Sequence, residues 1–274
     1  MGTLNAGTVI GRSLGIFFKN FIPFILICTI ALLPVVAWVV HFVATPITLD
    51  NWLERLGTLD DQLKVVIVAG FVLSFLASGG VTYGVIQQLR GQHASMFDCL
   101  RVGVSRMLAV IGVTLLTVLA LIGPFIPIVL VVAIMGGFGV ILALGGVVFV
   151  LALYCRLWVA VPVAVIERPG VMESLSRSSK LTEGSRFSIF GVLFITGLLR
   201  WVGQKMAEVM IDLEGAPKLG FDVLVSRLKI YILAVLVLNI LFAAFSAVCC
   251  AVAYHDLRTG KEGTSVDELA SVFD

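Results

Sequence analysis

Apolar residues run in long unbroken stretches along this chain, and the polar residues gather in short blocks between them. FIPFILICTIALLPVVAWVVHFVA, residues 21–44, is followed by a polar loop with Asp50, Glu54, Asp60 and Asp61, then by VVIVAGFVLSFLASGGVTYGVIQQL, residues 65–89. A hydrocarbon slab about 30 Å thick is crossed by roughly 20 apolar residues in a helix rising about 1.5 Å per residue. Each run therefore predicts one transmembrane helix. The block over residues 107–166 is too long for a single span. Pro124 and Pro127, then Met135, Gly136 and Gly137, stand where a helix breaks or turns most readily, so this block predicts two spans, 107–131 and 138–166. Runs at 187–203 and 230–254 bring the predicted number to six. Barrel-like alternation of polar and apolar residues is absent, so the spans are helices. The expected fold is all-α, a polytopic membrane protein with one six-helix domain over residues 1–254 and a cytoplasmic tail over 255–274.

Composition strengthens the assignment. With 274 residues, 59% hydrophobic and only 13% charged, the chain carries more apolar surface than one water-soluble core can hide. Its mean hydropathy of +1.10 agrees. Lys and Arg then set the orientation. Placing the N-terminus inside puts eleven of them on the inner side: Arg12, Lys19, Arg90, Arg101, Arg106, Arg168, Arg177, Lys180, Arg186, Arg258 and Lys261. Seven fall outside: Arg55, Lys64, Arg200, Lys205, Lys218, Arg227 and Lys229. Both termini are thus expected in the cytoplasm. The opening MGTLNAGTVIGRSLGIFFKN lacks the charged, apolar and cleavage-site order of a secretory signal, which predicts that the first span is retained.

One polar block has the marks of a helix of its own. In PVAVIERPGVMESLSRSSKLTEGSR, residues 162–186, Pro169 and Glu173 come early, Arg177 and Lys180 late, and Gly184 stands where a helix would stop. Basic segments also precede span one (GRSLGIFFKN, 11–20) and span three (DCLRVGVSRM, 98–107). Together they predict three units of a cytoplasmic amphipathic helix followed by a transmembrane hairpin. The alternative is that any inward-starting span collects Lys and Arg at its foot.

The run WVAVPVAVIERPGVMESLSRSSKLTEGSRF and the ending AYHDLRTGKEGTSVDELA resemble the membrane domain fused to some glycerophosphodiester phosphodiesterases, and its stand-alone bacterial relatives of unknown function. Pro162, Glu167, Arg177, Ser178, Leu181, Gly184, Asp256, Leu257, Arg258, Lys261, Glu262 and Gly263 carry the likeness, over residues 155–190 and 250–270. What it implies is a six-helix domain of the bacterial cytoplasmic (inner) membrane, without the soluble catalytic barrel of the fused members.

Candidate chemistry is sparse. Cys28, Cys99, Cys155, Cys249 and Cys250 form no CxxC pair and read as reduced packing residues. A metal or acyl group at Cys249–Cys250 with His255 and Asp256 is the less favoured alternative. His41, His93 and His255 fall in different segments, and no GxSxG, HExxH or P-loop occurs. Neither cofactor nor metal nor catalytic activity is expected, and no nucleic-acid partner.

Charges at membrane depth are costly and mark buried or functional positions. Arg156 either reaches the headgroups or a carbonyl freed by Pro162, or joins Arg177 or Arg258 in a lipid-phosphate site. Asn239 is assigned to interhelical hydrogen bonding and Arg200 to an interfacial anchor. Small residues at Gly70, Ser74, Ser78, Gly80 and Gly84, and at Ala243, Ala247 and Ala251, permit close helix approach.

Residues 169–184 are expected to dock beside the foot of span six on an apolar side of Val171, Met172 and Leu175. Glu167, Glu173 and Glu183 would meet Arg258 and Lys261, and Arg177 and Lys180 would meet Asp256 or anionic headgroups. The candidate lipid or partner contacts are therefore Arg156, Glu167, Arg177, Lys180, Asp256 and Arg258. The favoured function is a non-catalytic scaffold or accessory subunit that organises membrane lipids, other membrane proteins or copies of itself. The alternative is a transporter or lipid-handling protein, with Pro34, Pro124, Pro127 and Pro162 breaking helices around a cavity.

Overall fold

A computed structural model describes residues 4–48, 52–92, 94–135, 137–212 and 220–263. Asp50, His93, Gly136, Lys218 and residues 264–274 lie outside the described residues, as do the side chains of Glu54, Arg55, Asp60, Asp61 and Met135. Among the described residues there are helices and no strand. They are α1 (Ala6–Lys19), α2 (Phe21–Ala31), α3 (Leu33–Ala44), α4 (Trp52–Leu89), α5 (Met96–Ile122) and α6 (Phe125–Met135), followed by α7 (Gly137–Leu157), α8 (Ala160–Ile166), α9 (Val171–Thr182), α10 (Arg186–Ile211) and α11 (Phe221–Glu262).

Five stretches are long and apolar enough to cross a membrane: Lys64–Leu89, Met96–Ile134, Ala143–Ile166, Arg186–Ile211 and Phe221–Glu262. The pair α1 and α2 passes the same test only when taken together across its 82° bend, so the number is five, or six with the bent pair as one span. The fold is thus all-helical and consistent with a multi-pass membrane protein. The bend falls at Asn20, whose amide donates to the Ile16 carbonyl at 3.0 Å and to the Gln88 side chain of α4.

Several boundaries differ from the sequence expectation, each for a local reason. Run 21–44 is two helices, because Pro34 has no N–H to donate back and starts α3 instead of continuing α2. Residues 98–107 form no separate surface helix. Ser95 and Asp98 make a reciprocal cap, Ser95 Oγ accepting from the Asp98 amide at 3.1 Å, and α5 then runs unbroken to Ile122. Separate amphipathic helices therefore precede two of the spans, as α1 and α9, rather than three. The amphipathic stretch after residue 203 extends α10, and residues 255–262 of the expected tail extend α11. At 42 residues α11 is about 63 Å long, twice what a bilayer core requires.

The expected hairpin within 107–166 is present, with α6 packed against α7. A second break separates α7 from α8 at Trp158 and Val159. Pro162 cannot donate to the Trp158 carbonyl, and the Cys250 thiol of α11 donates to it instead at 3.3 Å.

α11 is the central helix, packing against α1, α2, α3, α4, α8, α9 and α10. Its buried stripe holds Ala244, Val248, Cys249, Ala251 and Val252, so of the Ala243, Ala247 and Ala251 series only Ala251 is fully covered. The backbones of α4 and α5 approach closely at glycines. A Cβ on Gly103 would lie 2.6 Å from the Leu76 carbonyl oxygen, and one on Gly80 2.9 Å from that of Cys99. Large apolar side chains such as Leu108, Phe187 and Met210 point outward, as a lipid-facing belt requires.

The two ends of the bundle are both basic but use their charge differently. At the end where α11 begins, Lys229 Nζ donates to the Thr45 carbonyl that ends α3 at 2.6 Å, and Arg227 binds the Asp212 carbonyl at the end of α10 at 2.6 Å. These cations cap helix C-termini, where exposed carbonyls carry partial negative charge. Arg200 also serves inside the fold, donating to Asn239 Oδ1 of α11 at 2.6 Å, which gives Asn239 its interhelical bond.

Candidate functional site

The other end of the bundle gathers α1, α9 and the last turns of α11. α9 begins at Gly170, whose N–H donates to Glu173 Oε2 at 3.1 Å, and its C-terminus leads into Gly184 in the left-handed region at φ 81°. The helix buries Ser174, Ser178, Leu181 and Thr182. Its hydroxyls have a specific task. The Arg156 carbonyl lies in the last turn of α7, where helical partners run out, and it accepts from Ser178 Oγ at 3.0 Å and Thr182 Oγ1 at 3.1 Å. Val171 and Leu175 pack toward Val113, Ala160 and Ala164, whereas Met172 is 71% exposed and takes no part in the expected apolar side.

α9 docks beside the end of α11, through partners other than those expected. Arg177 Nε donates to Glu167 Oε2 at 2.9 Å, and its Nη2 donates to Glu262 Oε1. Glu262 in turn accepts from Arg258 Nε at 3.3 Å, one helical turn back, and Glu167 accepts from the Tyr254 hydroxyl at 2.9 Å. Glu167, Arg177, Glu262 and Arg258 thus form a chain of alternating charge that joins the end of α8, the middle of α9 and the end of α11. Burial opposes the charge on Arg177, but the hydrogen bonds and charges of Glu167 and Glu262 outweigh it and raise its pKa above the ordinary arginine value.

Of the six sequence candidates, Glu167, Arg177 and Arg258 come together, and the other three do not join them. Asp256 faces α1 and pairs with Arg12 at 2.5 Å, because residues two apart on a helix point to different sides. The Lys180 carbonyl, rather than its ammonium, makes the contact, accepting from Lys261 Nζ at 2.6 Å at the C-terminus of α9. Arg156 donates to Ser179 Oγ, so it reaches neither the carbonyl freed by Pro162 nor the guanidinium cluster. Glu173 is used by its own helix cap.

Sequence reasoning did not assign Arg12, Tyr254 or Glu262 to the site. Tyr254, Arg258 and Glu262 share one face at four-residue spacing, a signal readable in advance. Arg12 carried none, since its partner is 244 residues away. Among the described residues no three of His, Cys, Asp and Glu stand close enough to hold a metal ion. No protein-family model, curated protein or solved structure matches this chain.

Proposed function

We propose that the chain is a non-catalytic integral protein of the bacterial cytoplasmic membrane that organises lipids or partner membrane proteins through its charged end. That end, holding α1, α9 and the close of α11, faces the cytoplasm, with both termini on the same side. The observation that carries this reading is the continuous Glu167–Arg177–Glu262–Arg258 chain, which holds a surface helix in fixed relation to the core. A fixed, charged, laterally exposed end suits recognition of a headgroup or a partner's surface, because its side chains are ordered before contact. The proposed kinship with the membrane domain of glycerophosphodiester phosphodiesterase type fits the same place, since Glu167, Arg177, Arg258 and Glu262 are among the residues that carry it.

Copurification in mild detergent, with mass spectrometry of bound proteins and lipids, tests the proposal. Recovery of a specific partner or lipid should fall in the Arg177→Glu, Arg258→Glu double variant, with folding followed in the same samples by the reactivity of buried Cys28 and Cys249. Unchanged recovery from the folded double variant would reduce this end to an orientation anchor.

A second reading, transport or lipid handling, has one observation in its favour. A cavity of about 360 Å3 between α2, α4, α5, α7, α10 and α11 presents Ser74, Ser78, Thr117 and Arg200 at the level of the spans.

A further inference from the structure

Beside the ionic chain lies an open cavity of about 500 Å3 where the ends of α4, α8 and α11 meet α5 and the middle of α9. Four guanidiniums line it, from Arg90, Arg168, Arg177 and Arg258, against the single carboxylate of Glu167. Tyr83 and Gln87 add polar groups to the lining, and Ile86, Val102, Val165 and Ile166 complete it. Lysine is missing from the lining although Lys180 and Lys261 lie close in sequence to its members. The distinction matters, because guanidinium forks match phosphate oxygens in pairs, whereas ammonium acts as a point charge.

Arg168 supplies an independent sign. It is one of two non-glycine residues with positive φ among the described residues, at 59°, and it stands directly before Pro169. Left-handed backbone is unfavourable for a side chain of this size, and such strain gathers at ligand sites. No described carboxylate pairs with this guanidinium, whereas Arg177 and Arg258 are each tied to Glu262.

We propose that this cavity binds the phosphate of a phosphomonoester headgroup, with Arg168 as the entering contact and Arg90, Arg177 and Arg258 as the surrounding guanidinium wall. A guanidinium-lined cavity at the ends of apolar helices suits a lipid, whose phosphate lies at that level. This deepens the scaffold reading and rests on it for the lipid source; free phosphate has the same chemistry at the rim.

The test uses the purified full chain in detergent. Native mass spectrometry measures binding of phosphatidic acid and of phosphatidylcholine, and thermal unfolding is followed with and without inorganic phosphate. The expected result is one saturable phosphatidic acid per chain, preferred over phosphatidylcholine, with about tenfold weaker binding in Arg168→Gly and in Arg90→Gln. Arg168→Gly should not lower the melting temperature, because glycine adopts this backbone freely. Protection by inorganic phosphate that is lost in Arg168→Gly, without preference for phosphatidic acid, assigns the site to free phosphate and supports its chemistry. Equal binding of the two lipids with no protection by phosphate overturns the proposal. Unchanged phosphatidic acid binding in both variants overturns it too. Specific partner recovery by an unaltered chain that binds neither phosphatidic acid nor phosphate would sink the cavity site alone and leave the scaffold reading standing.

Discussion

Replacing Arg177 by Gln removes the residue that joins the close of α8 to the end of α11 while keeping much of its length. Its charge-assisted hydrogen bonds to two carboxylates, Glu167 and Glu262, are lost. Their weights differ with exposure. The Glu167 side chain is 19% exposed and that of Arg177 32%, so this bond belongs near the low end of the range for charged partners, about 1.5 kcal/mol. The Glu262 side chain is 36% exposed and keeps Arg258, so after discounting for solvent its share is about 0.5 kcal/mol. The total loss is about 2 kcal/mol, or roughly 4–8 °C in melting temperature at about 2–4 °C per kcal/mol. The chain carries its own probe, because Cys28, Cys99, Cys155 and Cys249 are buried and free. A thiol-reactive dye reports unfolding in detergent as these sulfurs become exposed. A cycle of Arg177→Gln, Glu167→Gln and the double variant should give a coupling of about 1 kcal/mol. A shift below about 1 °C with no coupling would refute the reasoning, since α9 would then be held by its buried serines and Leu181 alone.

Further outcomes follow from other contacts. Gly103→Ala should destabilise the α4–α5 pair by about 1–3 kcal/mol, because the new Cβ meets a backbone carbonyl at 2.6 Å, whereas Gly197→Ala, with open space around it, should be neutral or mildly stabilising in the same dye assay. Cys250→Ala leaves the Trp158 carbonyl without its donor and should cost about 1–2 kcal/mol, with Cys250→Ser recovering part of the loss. The raised pKa of Arg177 means that its contribution is complete below the ordinary arginine value and is lost only as pH climbs through the raised one, so the Arg177→Gln difference in melting temperature should stay constant from about pH 7 to 9.

Much of the helical plan can be read from the chain because lipid allows few solutions: apolar runs must be helical, and Pro and Gly mark their breaks. α9 was legible for the same kind of reason, since Pro169, Glu173 and Gly184 act within a few residues of where they stand. The continuity of α5 was missed because basic residues at 101 and 106 resemble a surface segment, while the reciprocal Ser95–Asp98 cap starts a helix that nothing later stops. The break at Trp158 was signalled by Pro162, four residues downstream, although the span over 138–166 was expected as one element. Pairing was least legible. Charge sign limits who may meet, but the rotation of α11 sends Asp256 to Arg12 and Glu262 to Arg177, and rotation is set by packing of the whole helix. Arg168 gives no sign in sequence of its left-handed backbone, since the residue before a proline is ordinarily extended.

Sidedness tests the account most directly. Reporter fusions after Gln92, Ser178 and Gly263 should all report the cytoplasm, and fusions after Thr48, Met135 and Asp212 the opposite side. Ser178 and Gly263 reporting different sides would contradict the account, because Arg177 and Glu262 could not then share one charged end.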